Sequence, residues 1–185
     1  MENQKVSNIK PSMNLGAILG LVLICYSIVL YMLDMNLNPK MQYLSYAVIA
    51  ATLYLTMKSY RDNYQKGFIT YSKALGTGTL ISFFASILNA FYVYIFHTVI
   101  DTEAIQKMKD MQIEELLNNG MSEDDVEMII STSQVWMTPL VFTITTIIGV
   151  TFIGVTFIGF ILSLLISIFI KKEGDPFIED MAEIE

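Results

Sequence analysis

MNLGAILGLVLICYSIVLYML, Met13 to Leu33, contains no charged side chain. The stretch is about 21 residues long and, as a helix, reaches about 30 Å, the thickness of a bilayer's hydrocarbon core. Lys5 and Lys10 precede it, as they would precede a cleavable signal. The apolar run is longer than such signals usually are, and no small-x-small cleavage site follows. It reads as a retained signal anchor and as the first of several spans.

Three further runs follow. Asn36 to Lys40 form a polar turn broken by Pro39, and the second run covers 41–57, at the short end of what crosses a bilayer. A basic segment, KSYRDNYQKGFITYSK (Lys58 to Lys73), leads into the third run, 74–100. The fourth, 138–170, opens at Thr138-Pro139 and stops at Lys171-Lys172. Beyond Pro139 it is about 31 residues, near 46 Å, so it must tilt, kink or project outward, where it would support the segment before it. The fold class expected is all-α: a polytopic membrane protein of four transmembrane helices, organised as one membrane domain over 1–185.

Composition agrees. Hydrophobic residues make up 54% of the chain and charged ones 16%, where soluble domains carry about 25% charged. The net charge of -7 is unevenly placed. Segment 101–137 holds Asp101, Glu103, Asp110, Glu114, Glu115, Glu123, Asp124, Asp125 and Glu127 against Lys107 and Lys109, and the tail 171–185 is also acidic. Such surfaces are solvated or attract cations and basic partners, and they exclude nucleic acid as a partner. The positive-inside rule sets the orientation. With the N-terminus in the cytoplasm, Lys5, Lys10, Lys58, Arg61, Lys66, Lys73, Lys171 and Lys172 lie inside, against Lys40, Lys107 and Lys109 outside. Tyr31, Tyr43, Tyr46, Tyr94 and Trp136 then fall at the outer interface. Both termini are expected inside the cytoplasmic membrane and the acidic segment outside it.

That acidic segment reads as a helical hairpin. Its first helix is expected over 102–118 with a left-handed cap at Asn119-Gly120, and an apolar stripe of Ile105, Met108 and Leu116. The second opens at Ser122, an N-cap residue, with Glu123, Asp124 and Asp125 in the favourable first turn. Its stripe is Val126, Ile129, Ile130 and Met137. Consecutive acids on a helix point apart and lack an alternating ligand loop, so no calcium site is read here.

In lipid, helices associate through small residues spaced four apart. The first span offers Gly16 and Gly20, the third Gly78, Ser82 and Ser86, and the fourth Gly159 and Ser163. Asn89 lies beside the third stripe, where it makes an interhelical hydrogen bond or lines a cavity. These eight are the candidate helix-packing residues. GVTFI occurs twice between Gly149 and Ile158, and α-helical geometry sets Gly149, Gly154 and Gly159 about 140° apart, off any common face. The repeat reads as a small duplication rather than a hinge. Cys25, deep in an apolar run with Ile24 before it, reads as packing rather than an acylation site.

Catalytic chemistry finds no foothold. The only ionisable group expected inside the spans is His97, near an outer end, and it reads as interfacial. No HExxH motif, aspartate pair, nucleotide-binding loop or Ser-base pairing occurs, and Tyr71-Ser72-Lys73 puts neighbours on different helix faces. No catalytic residue, metal or cofactor is assigned, and the chain is not read as an enzyme.

GFITYSKALGTG (Gly67 to Gly78), the acidic insert turning at Gly120-Met121-Ser122, and the Lys171-Lys172 stop together resemble a bacterial membrane family catalogued as domain of unknown function 4199. The resemblance implies four spans in a bacterial cytoplasmic membrane and carries over no functional residues. The role expected is non-enzymatic: interaction, assembly or envelope association, with the lipid bilayer and a protein partner at the hairpin. The alternative is a subunit of a small oligomeric transporter or channel, a homo-oligomer joined through the small-residue stripes.

Overall fold

The computed structural model describes residues 9–36, 38–133, 141 and 146–172. Its helices are α1 (Ile9–Met32), α2 (Pro39–Tyr64), α3 (Tyr71–Ile95), α4 (Ala104–Asn118), α5 (Glu123–Ser133) and α6 (Val155–Ile170). Stretches of π-helix cover Phe96–Ile100 and Thr146–Gly154. No strand occurs among the described residues; one isolated antiparallel bridge pairs Ile69 with Lys172. Trp136, Met137, the Thr138-Pro139 start of the fourth run and the tail 173–185 lie outside the described residues.

Three helical stretches are long and apolar enough to cross a membrane: Ile9–Met32, Tyr71–Ile100 and Thr151–Ile170. The expected second span lies within α2, which is not among them. Gln42, Ser45, Thr52, Thr56 and several tyrosines dilute its apolar character, and the helix continues through Lys58, Arg61 and Asp62 to Tyr64.

The described residues fall into two compact units, one drawn from Met1–Asn89 with Ile153–Glu185 and the other from Ala90–Phe152. In the first unit the usual arrangement of a soluble core is inverted. Ser12, Thr77, Ser82, Ser86, Ser163 and Ser167 are fully or almost fully buried, while Ile18, Leu55 and Phe169 are 50%, 62% and 78% exposed. Water would not tolerate that outer surface, whereas lipid solvates it. Such surfaces, together with helices long and apolar enough to span, mark a membrane protein. Larger side chains fill the remaining interior: Leu15, Leu19, Leu53, Met57, Tyr60 and Ile81 among them.

Local chemistry sets the ends of these helices. Pro11 sits in the first turn of α1, where a missing N–H costs nothing. At the other end Asp34 is left-handed (φ 54°), Met35 N–H donates to Leu30 O (2.9 Å) and Asp34 N–H to Tyr31 O (3.1 Å). This paired capping satisfies carbonyls that would otherwise face hydrocarbon. The next helix is capped by Asn38, whose side chain accepts from Lys40 N–H, with Pro39 opening α2. Tyr26 Oη donates to Met41 O (2.8 Å) and ties α1 to α2.

The opposite end of the unit is held by a clasp. Ile69 and Lys172 exchange both backbone hydrogen bonds, at 2.9 and 3.0 Å. Arg61 Nη1 donates to Ile170 O (3.3 Å), placing a cation at the negative end of α6, and Tyr71 Oη donates to Leu164 O (3.2 Å). Lys172 Nζ lies 5.4 Å from the centre of the Phe68 ring. Arg61 Nε also donates to Asp62 (2.8 Å), which holds that exposed carboxyl below its usual range.

In the second unit, α4 ends at Gly120 (φ 85°), with Gly120 N–H on Leu117 O and Met121 N–H on Leu116 O. Ser122 Oγ accepts from Asp125 N–H (3.3 Å) and donates to the Asp125 carboxylate (2.6 Å), so α5 is capped from its own sequence. Val126 is the buried apolar contact of α5. One acid departs from the solvated face expected of 101–137. Asp101 is only 5% exposed, and both its carboxylate oxygens accept from Lys107 Nζ at 3.2 Å. The reason is local: residue 107, in the first turns of α4, reaches back over the turn that Asp101 begins. Because Lys107 is half-exposed and Asp101 is not, their loss has unequal cost. Lys107→Ala, which strands the buried carboxylate, is expected to destabilise α4 by about 2–3 kcal/mol, and Asp101→Asn by about half that. Hydrogen exchange of the α4 amides in detergent measures both.

Candidate functional site

Gly16, Gly20, Gly78, Ser82, Ser86, Asn89, Gly159 and Ser163 are all buried in the first unit. The closest approach lies between α3 and α6. Gly78 faces Ser163, and Gly159 faces Ser82, so two Gly-x-x-x-Ser segments pair reciprocally. Each hydroxyl is satisfied within its own helix: Ser82 Oγ donates to Gly78 O (3.0 Å) and Ser163 Oγ to Gly159 O (2.6 Å). A serine bonded back to the preceding turn presents a compact surface, and the opposing glycine accepts it. Met57 of α2 closes the same point, its sulfur 2.7 Å from where a Cβ on Gly78 would stand. One turn toward the other end, Thr156 Oγ1 donates to Ser86 Oγ (3.0 Å).

Gly16 and Gly20 perform the same task between α1 and α3. A Cβ on Gly16 would lie 2.6 Å from Phe84 Cβ and 2.7 Å from Ile81 O; one on Gly20 would lie 2.9 Å from Leu88 Cδ2. Asn89 locks this pair of helices. Its Nδ2 donates to Ala85 O (3.0 Å) on its own helix and to Gly20 O (3.5 Å) on α1.

Asn89 also lines a cavity of about 250 Å³. Its other walls include Leu23, Tyr26 and Leu30 of α1, Ser45 and Ile49 of α2, and Val155 of α6, with Asn36 from the α1–α2 turn. Apart from Asn89, these lining residues escaped sequence reasoning. The available signal was Tyr26 and Ser27, polar groups in the C-terminal half of the first run, but their counterparts come from other elements.

The second unit presents a different surface. Glu103, Asp110, Glu114, Glu115, Glu123, Asp124, Asp125 and Glu127 are all exposed. Among them stand exposed Met111, Leu117, Met121 and Met128, the last 63% exposed. His97 lies in the π-helical end of the third span with its ring edge-on to Phe96 at 5.5 Å. No group of three or more metal-ligating side chains occurs among the described residues.

The GVTFI repeat also falls differently from its α-helical reading. Its first copy lies within the π-helical stretch, and α6 begins at Val155 inside the second. A π-helix bonds residues five apart and winds more widely than an α-helix, so the 140° separation computed from α-helical geometry does not apply to Gly149 and Gly154. Gly149 has open space where a Cβ would be, so close packing does not require it.

A family model described as "Protein of unknown function (DUF4199)" matches residues 14–172, which include all eight candidate helix-packing residues. The chain belongs to this family. No curated protein and no solved structure matches it.

For this DUF4199 chain the reciprocal Gly–Ser contact makes a direct prediction. Gly159→Ala drives a methyl group into Ser82 and is expected to cost about 1–3 kcal/mol, with partial recovery in the Gly159→Ala/Ser82→Gly double variant. Gly76→Ala, on the same α3 but with open space around it, should be neutral or stabilising by up to about 1 kcal/mol. Unfolding midpoints of the purified protein in detergent distinguish the two.

Proposed function

We propose that this protein is a non-enzymatic bacterial membrane protein of four spans that uses its acidic helical pair to dock a partner. In this reading α2 completes the set of spans, both termini face the cytoplasm, and α4 and α5 stand outside. The single observation that carries it is the surface of that pair. Eight exposed carboxylates surround exposed methionines, while Lys107 is engaged with buried Asp101. Methionine side chains adapt to varied apolar surfaces, and the surrounding negative charge selects a basic partner and speeds encounter. The complementary partner is a protein with a cationic face and apolar anchors.

A second reading, a subunit of a small oligomeric transporter or channel, is favoured by a different observation. The hydroxyls of Ser12, Thr77 and Ser167 are buried with no hydrogen-bond partner. A polar line through the bundle would use such groups.

Two measurements test the proposal. A phosphatase active only outside the cytoplasm should be active when joined after Gly120 and inactive when joined after Gly67. A photocrosslinker at Met128 in native membranes should capture a basic partner, with yield falling at high salt. Replacing Glu123, Asp124 and Asp125 by lysine should lower that yield at least tenfold. Self-crosslinks alone would favour the oligomer and reject docking.

A further inference from the structure

The cavity beside Asn89 has a chemistry independent of the acidic surface. An amide side chain has two N–H donors and one acceptor oxygen. Both neighbours of the Asn89 nitrogen, Ala85 O and Gly20 O, are carbonyls that can only accept, so the nitrogen must face them. This orients the amide and leaves Oδ1 as its acceptor. The residue is 8% exposed, and it lines the cavity. A ligand's O–H or N–H would find an acceptor in that oxygen.

The rest of the lining narrows the ligand. Tyr26 Oη already donates to Met41 O, so the phenol hydrogen is committed. No carboxylate, lysine, arginine or histidine is among the described residues that line the space, so a charged group would find no counter-charge among them and would enter at a high desolvation cost. Leu23, Leu30, Ile49 and Val155 supply apolar walls. At about 250 Å³ the cavity exceeds the roughly 150 Å³ that accommodates benzene and falls just under the drug-sized range that begins near 300 Å³.

We infer that this cavity is a binding site for a small neutral amphiphile, with an apolar body against Leu23, Leu30, Ile49 and Val155 and a hydroxyl or N–H donating to Asn89 Oδ1. Such a molecule reaches the site either as a free alcohol or amide partitioned into the bilayer or as the hydroxylated end of a lipid.

The probe is 3-azioctanol, a photoactivatable eight-carbon alcohol, applied to the full chain in nanodiscs of uncharged phospholipid. Adducts are expected on Leu23–Leu30 and Met41–Ile49, with 1-octanol protecting them at about tenfold lower concentration than octane, which lacks the hydroxyl. Asn89→Leu should remove that tenfold preference. Val155→Phe, which fills the space and leaves both amide hydrogen bonds of Asn89 in place, should abolish the adducts there while the unfolding midpoint stays near that of the native chain. If labelling of the native chain appears only after bound lipid is stripped, the natural occupant is a lipid; labelling without stripping assigns the site to a free molecule. Adducts spread evenly over outward-facing Leu21, Val29 and Phe157, or equal protection by octane and octanol, would overturn the inference.

Discussion

Close approach between α3 and α6 is the constraint on which the rest of the first unit depends. Between helices in lipid there is no hydrophobic gain from leaving the solvent, because the solvent is itself hydrocarbon. Association must come from dispersion over closely fitted surfaces, and each such contact is weak unless backbones come near. Gly78 and Gly159 provide that nearness, and Ser163 and Ser82 occupy the space opened. The serines can be buried because their hydroxyls are bonded to carbonyls on their own helices. The inverted exterior follows from the same cause: with small residues turned inward, the large apolar ones of α1, α3 and α6 face outward.

Much of this was legible in the sequence because its determinants are local and periodic. A spacing of four defines a helical face, so Gly16, Gly20, Gly78, Ser82, Gly159 and Ser163 could be named before any partner was known. Charge-free runs were equally plain, and the capping residues Pro39, Gly120 and Ser122 act within a few residues of themselves. What escaped depends on distance in the chain. The cavity joins four helices, so no window of sequence contains it. Burial of Asp101 depends on where the Lys107 ammonium arrives, which composition does not encode. The expected second span differs: the helix α2 is present, but its tyrosines and hydroxyls leave it outside the helices apolar enough to cross a membrane.

The π-helical stretch at Thr146–Gly154 escaped for a third reason. An angle computed from α-helical geometry assumes the helix type it is meant to test. Bonding between residues five apart widens the winding, so an angle taken from 3.6 residues per turn no longer describes where the repeated glycines fall.

Polar groups within the first unit divide sharply by what they do. Ser82, Ser163, Thr56 and Thr79 donate to carbonyls of the preceding turn and are spent on their own helices. Tyr26, Tyr71 and Arg61 donate to carbonyls on other elements and are spent on holding those elements together. Asn89 belongs to this second class through its nitrogen, and the residue also lines a cavity. An apolar residue would have packed α1 against α3 without any desolvation cost, and a serine would have satisfied itself locally, as its neighbours do. An asparagine at this position instead joins α1 to α3 through its nitrogen and keeps an acceptor besides. The exposed carboxylates and methionines of the second unit lie on or beside α4 and α5, while the residues that line the cavity belong to α1, α2, α3, α6 and the α1–α2 turn. The two can be altered independently, since no residue is common to both.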